Sequence, residues 1–207
     1  MRYDTEHKQQ TRMKVLQAAA KAIRAEGPHR VGVAGVMAEA GLTHGGFYAH
    51  FASKDELVAA AIGQMFDDAR HRVQHEMKDR TPAEGLVAYI DFYLSKRHRD
   101  ARGAGCPMAA LASDLPRLDD AAREQFATGV RRLTVALGEK LAALDGANIK
   151  HTVAKNAAIG AQARSMIAEL IGALSLARIE PEAKCSDEIL AASRRSLKQR
   201  LGLESVQ

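Results

Sequence analysis

The stretch LTHGGFYAHF (42–51) sets residues of unlike chemistry close together. Phe47 and Phe51 stand four apart, the spacing of one buried helical face, and His44 and Tyr48 make a second such pair on another face. Before Phe47 lie Gly45 and Gly46, each costing a helix about 1 kcal/mol relative to alanine. Two readings of the glycines stay open. Either they form a loop and the helix starts at Phe47, or their missing side chains let a ligand outside the protein reach the backbone. In the second reading the helix begins at His44, Thr43 caps it, and its positive end and free N–H groups favour an anion.

A second candidate is Cys106, which precedes Pro107 and therefore sits at a helix start, near Arg97, Arg99 and Arg102 in sequence. Both features favour the thiolate; the alternative is a small buried residue. As an enzyme nucleophile it would need a base and an orienting group, and no His or carboxylate stands at a recognisable spacing, so no enzyme is expected. The aromatics Phe66, Tyr89, Phe92, Tyr93 and Phe126 either wall a pocket for a small effector or fill the core. The eight His are scattered without Cys or carboxylate partners at ligand spacing. Neither a metal nor a cofactor is expected.

The elements that carry these residues read as helices throughout. Alternation of strand type appears nowhere over five or more residues, and the periodicity predicts an all-α chain of about nine helices. The first spans about 5–26, with Val15, Leu16, Ala19 and Ile23 on one stripe, and Gly27-Pro28 ends it. A short helix follows at 33–40, then a Gly41 turn and the helix at 44–51. Ser53-Lys54-Asp55-Glu56 is a capping box, in which Ser53 accepts from the backbone and Glu56 reaches back. It opens a helix to about 78. Thr81-Pro82 starts another, 96–105 reads as a basic loop, and further helices are expected at 106–114, 118–144, 149–179 and 186–200. Residues 159–177 carry apolar side chains on more than one face, so that helix is either buried on more than one side or an ordinary core helix. The expected organisation is a helix-turn-helix domain over 1–53 and a helical domain over 54–207.

Charge and composition narrow the function. The chain has 207 residues, 46% of them hydrophobic and 27% charged, with a formal net charge of +5. Residues 1–54 hold eight Lys/Arg against four acids, and four of the eight His, so most of the excess lies in the first quarter. A basic module beside a near-neutral body suits a nucleic-acid binder; a solvated surface is the bland alternative. No apolar run approaches the roughly 18 residues of a membrane span, the first 20 residues lack a signal-peptide centre, and two Cys are too few for a disulfide framework. A cytoplasmic protein with no membrane partner is expected. A helix-turn-helix sends its second helix into the major groove with the N-terminal residues at the base edges. A helical adaptor that binds protein through the same short helices is the rival.

The run GLTHGGFYAHFASKDEL (41–57) resembles the signature of the tetracycline-repressor (TetR) family of transcription regulators. There a Gly-x-Ser/Thr turn leads into a recognition helix with Tyr-x-x-Phe and a following Ser-Lys-x-x-Leu; here these are Gly41, Thr43, Tyr48, Phe51, Ser53, Lys54 and Leu57. The resemblance spans residues 11–60. It implies that Thr43, Tyr48 and Lys54 contact phosphates, that His44, Gly45 and Gly46 face bases, that His50 lies near the DNA backbone, and that Phe47 and Phe51 are core. One departure is the start of the second helix, RVGVAG (30–35), which lacks the family's hydroxyl cap; Arg30 is then the candidate phosphate ligand. The resemblance also implies a homodimer formed through the last two long helices, a palindromic double-stranded DNA operator, repression as the mode of regulation, and a small-molecule effector bound among the central helices. The surrounding GCPMAALASDLP resembles the subset of that family containing the electrophile-sensing repressor of N-ethylmaleimide reductase, which implies a reactive role for Cys106.

Overall fold

A computed structural model describes residues 2–144 and 153–206. Among these are nine α-helices and three 3-10 turns, and no strand. The chain divides into two compact units, residues 1–68 with 102–129, and residues 69–101 with 130–207.

The first unit opens with α1 (Arg2–Glu26), which turns Val15, Leu16, Ala19 and Ile23 into the core as the stripe predicts. Gly27 ends it at φ +85°, with its N–H on Ile23 O at 2.9 Å. Helix α2 (Val33–Glu39) starts at Gly32, where no side chain caps it, and buries Val36 and Met37. Gly41 (φ +72°) then reverses the chain, a conformation that costs a residue with a Cβ. A 3-10 turn over His44–Ala49 follows, and α3 (Lys54–Met77) begins in this unit. The segment 102–129 returns to the same unit as a 3-10 turn (Arg102–Ala104), the short helix α6 (Pro107–Leu111), a second 3-10 turn (Leu115–Arg117) and the start of α7 (Asp120–Leu144). Helix α1 packs against α2, the 102–104 turn and α6. Arg24 bridges α1 to α3: its guanidinium donates to Asp68 Oδ2 at 2.8 Å and to Met65 O at 3.3 Å.

The second unit is built on α4 (Pro82–Tyr93), α5 (Lys96–Asp100), α8 (Val153–Ile179) and α9 (Ala183–Arg200), with the remainders of α3 and α7. A capping box starts α4, Thr81 accepting from the Glu84 N–H while Glu84 accepts from the Thr81 N–H at 2.8 Å. Helices α8 and α9 pack side by side, and α4 lies against both. The basic stretch at 96–105 is not the expected loop. Ser95 caps a helical turn by accepting from the His98 N–H at 3.1 Å, and Arg99 binds Ser186 Oγ at 2.7 Å and Asp187 Oδ1 at 2.9 Å on α9. Arg178 of α8 completes the clamp by donating to the carbonyls of Arg99 and His98.

Helix α8 buries Ala163, Met166, Ile167, Leu170, Ala173, Leu174 and Ala177 along one side. Its other side exposes Ala154, Ala158, Ala161, Ala168, Leu176 and Ile179, so within one chain it is covered on one side rather than several. The four residues 149–152, expected at its start, lie outside the described residues.

Candidate nucleic-acid interface

The expected α-helix at 44–51 is a 3-10 turn over His44–Ala49. Thr43 occupies the cap position, but its hydroxyl makes no capping bond; its carbonyl instead accepts from the Gly46 N–H at 3.1 Å. With two glycines and no side-chain cap, little holds the first turn in α form, and the tighter i→i+3 bonding prevails. The two phenylalanines behave as their spacing demands. Phe47 and Phe51 are both 2% exposed, stacked with centroids 5.7 Å apart, and pin the turn into the core. Their removal to alanine costs about 3–5 kcal/mol each.

What remains outside is the polar set. Thr43, His44 and Gly45 are exposed, and Tyr48 is 72% exposed, its ring held edge-on against Phe47 at 5.2 Å. A Cβ added at Gly45 would meet nothing within 4 Å; one at Gly46 would make an ordinary contact with Met37 Cε at 3.6 Å. Neither glycine has a positive φ. Packing within the chain therefore requires no glycine at 45. Gly129 shows the opposite case, since a Cβ there would fall 2.2 Å from the Phe66 ring.

Around this turn the basic residues gather. Lys54, at the first position of α3, donates to the His29 carbonyl at 3.4 Å. Ser53 Oγ accepts from the Glu56 N–H at 3.0 Å, while the Glu56 carboxylate takes the Ala52 N–H at 2.6 Å, one residue before the expected cap partner. Arg30 is exposed and lines a groove of about 480 Å³ between α1 and α2. His50 is half-buried with its Nδ1 enclosed and unpartnered, and burial, then Lys8 and Arg12, push its pKa down. Sequence reasoning did not single out Lys8 or Arg12. Arg12 places its guanidinium 4.6 Å above the Phe51 ring, a contact between α1 and residue 51 that no local pattern announces.

The residues expected to receive an effector separate into two groups. Phe66 and Phe126 pair edge-to-face at 5.1 Å in the first unit, which also holds Cys106. Tyr89, Phe92 and Tyr93 lie in the second, Phe92 stacked on His98 at 5.1 Å and covered by Arg72 at 4.5 Å. Cys106 is the residue before α6, as expected, and is 6% exposed. Among the described residues no group of three His, Cys, Asp or Glu could hold a metal ion, and no helix is long and apolar enough to cross a membrane.

Comparison with known proteins places this geometry. Residues 15–61 match the model of the bacterial regulatory proteins of the tetR family. The chain is 25% identical over 171 residues to an uncharacterised HTH-type transcriptional regulator in the lacX 3' region of Lactococcus lactis subsp. lactis, covering 82% of this chain and 84% of the relative. It is 26% identical over 133 residues to the HTH-type transcriptional regulator LmrA of Bacillus subtilis (strain 168), covering 63% of this chain and 71% of LmrA. Its fold is similar to that of Escherichia coli NemR in the reduced form, with a TM-score of 0.75 at 19% identity over 92% of this chain and 96% of NemR. The matched segment is the one that holds α1, α2, the 44–49 turn and the start of α3, and over it the chain is similar to the tetR family of bacterial regulatory proteins.

Proposed function

We propose that the chain is a homodimeric, sequence-specific repressor that reads a palindromic operator with two copies of the 44–49 turn, and that an effector or modification of Cys106 releases it. Gly45 is the observation that carries this reading. It sits exposed in a turn that alanine would stabilise, and nothing in the chain needs the missing side chain. Close approach of a duplex to the main chain supplies the need. His44, Gly45 and Gly46 then face base edges, while Thr43, the Tyr48 hydroxyl, Lys54, Arg30 and His50 hold phosphates. Hydroxyl and cationic groups of this kind fix register without reading sequence. Lys54 must leave the His29 carbonyl to do so, and the 3.4 Å length of that bond makes the exchange inexpensive.

Dimerisation is supported by the uncovered side of α8, where small residues permit close helix approach beside exposed Leu176 and Ile179. Paired recognition elements of a dimer read half-sites roughly 34 Å apart. Release is supported by the packing of α6 on α1 within the first unit: Cys106 is buried at the start of α6, so an adduct there must displace a helix that packs on α1. Phe66, Phe126, Tyr89, Phe92 and Tyr93 are the candidate effector contacts.

Gel shift of the purified protein on the DNA upstream of its own gene, over a salt series, tests the reading. Affinity is expected to fall by orders of magnitude between 50 and 200 mM salt, because each neutralised phosphate releases counterion. Binding that ignores salt, or no binding at all, contradicts it. Treatment with N-ethylmaleimide should release the wild type and spare Cys106→Ser; equal behaviour of the two removes the cysteine from the mechanism.

A further inference from the structure

Outside the 44–49 turn, two cations of the first unit lie close together on α1. Lys8 and Arg12 are one turn apart on one face of that helix, an arrangement that disfavours the free helix because like charges meet at i and i+4. Among the described residues neither forms an ion pair. Arg12 is instead pinned by cation–π contact, its guanidinium 4.6 Å over the buried Phe51 ring. Lys8 is exposed one turn before it. His50 reports the local field: besides burial, the groups acting on it are these two cations, both in the same sense, and its enclosed Nδ1 has no partner. A positive site held against the end of the recognition turn, with no carboxylate of the described chain to balance it, is built for an external anion.

We propose that Lys8 and Arg12 form a DNA-phosphate clamp on α1, holding the duplex backbone beside the 44–49 turn. The clamp rests on the proposed DNA-binding reading and adds two ligands to it. Arg12 brings a fixed fork, oriented by Phe51, that suits two phosphate oxygens; Lys8 brings a mobile point charge. Neither reads sequence, so the clamp raises affinity for any duplex and leaves the preference for the operator untouched.

The test uses the intact chain, a mixed-sequence duplex and the upstream duplex, titrated over a salt series with wild type, Lys8→Gln and Arg12→Gln. Each variant is expected to bind both duplexes several-fold more weakly, with a salt slope smaller by about 1 and an unchanged ratio between the duplexes. Arg12→Gln also uncovers Phe51, so its melting temperature is read alongside; Lys8→Gln, outside that packing, keeps the wild-type melting temperature and carries the decision. If Lys8→Gln retains the full slope while the wild type binds, the clamp is wrong and the DNA reading stands. If the wild type binds no duplex at low salt, both fall together.

Discussion

Glycine 45 and glycine 129 look alike in a sequence and answer to different demands. At 129 the Phe66 ring occupies the space a Cβ would take, so the fold itself selects glycine. At 45 that space is open and the backbone is ordinary, and under the proposed function the duplex is the selecting agent. Gly45→Ala therefore separates folding from function. The substitution should leave thermal stability unchanged or raise it by up to about 1 kcal/mol, by reducing the freedom of the unfolded chain. Duplex affinity should fall tenfold or more, about 1.4 kcal/mol, because the new methyl stands where base edges or phosphates approach. Parallel melting and binding curves check it, and a variant that binds as well as the wild type would return Gly45 to the status of a loop residue. Much of this site was legible in advance, since Phe47, Phe51 and Tyr48 are set by short-range spacing. Lys8 and Arg12 were not, because their place depends on how α1 lies over Phe51, a long-range packing fact.

Individual elements show where local pattern meets its limit. Spacing predicts a helix at 44–51, but its glycines and idle Thr43 hydroxyl make His44–Ala49 3-10 rather than α. The basic stretch after Ser95 looked like a loop because charge masked its cap; Ser95 and the clamp of Arg99 and Arg178 fold it as α5. That helix carries His98, 4% exposed, with Nδ1 donating to the Tyr93 carbonyl at 2.7 Å. Burial pushes the His98 pKa down, the Tyr93 bond opposes this, and Arg178 and Arg72 add to the lowering. The neutral ring is thus the folded form, whereas the unfolded chain takes up a proton near pH 6.5. Stability contributed by His98 is complete above that pH and is lost as pH falls through the lower folded value, at up to about 1.4 kcal/mol per pH unit for one proton. Melting from pH 7.5 to 5 should show this loss, and His98→Asn, whose amide can still donate to Tyr93, should flatten it. Equal slopes in the two proteins would remove His98 as the source.

At the scale of the whole molecule, all-helical periodicity was legible because it repeats along every segment, and most of the excess positive charge lies in the first quarter, the part that matches the tetR family model. The pairing of segment 102–129 with the first unit was not, since contact between residues so far apart leaves no periodic trace. The outer side of α8 exposes Ala161, Ala168, Leu176 and Ile179. A second copy meeting it there would set two recognition turns on one duplex. Sedimentation of a labelled duplex from the upstream region with the wild-type protein measures this at once. At low ionic strength the account predicts one species with the mass of the duplex and two chains, breaking apart as salt rises. A duplex that sediments alone at low salt, or that carries only one chain, would contradict it.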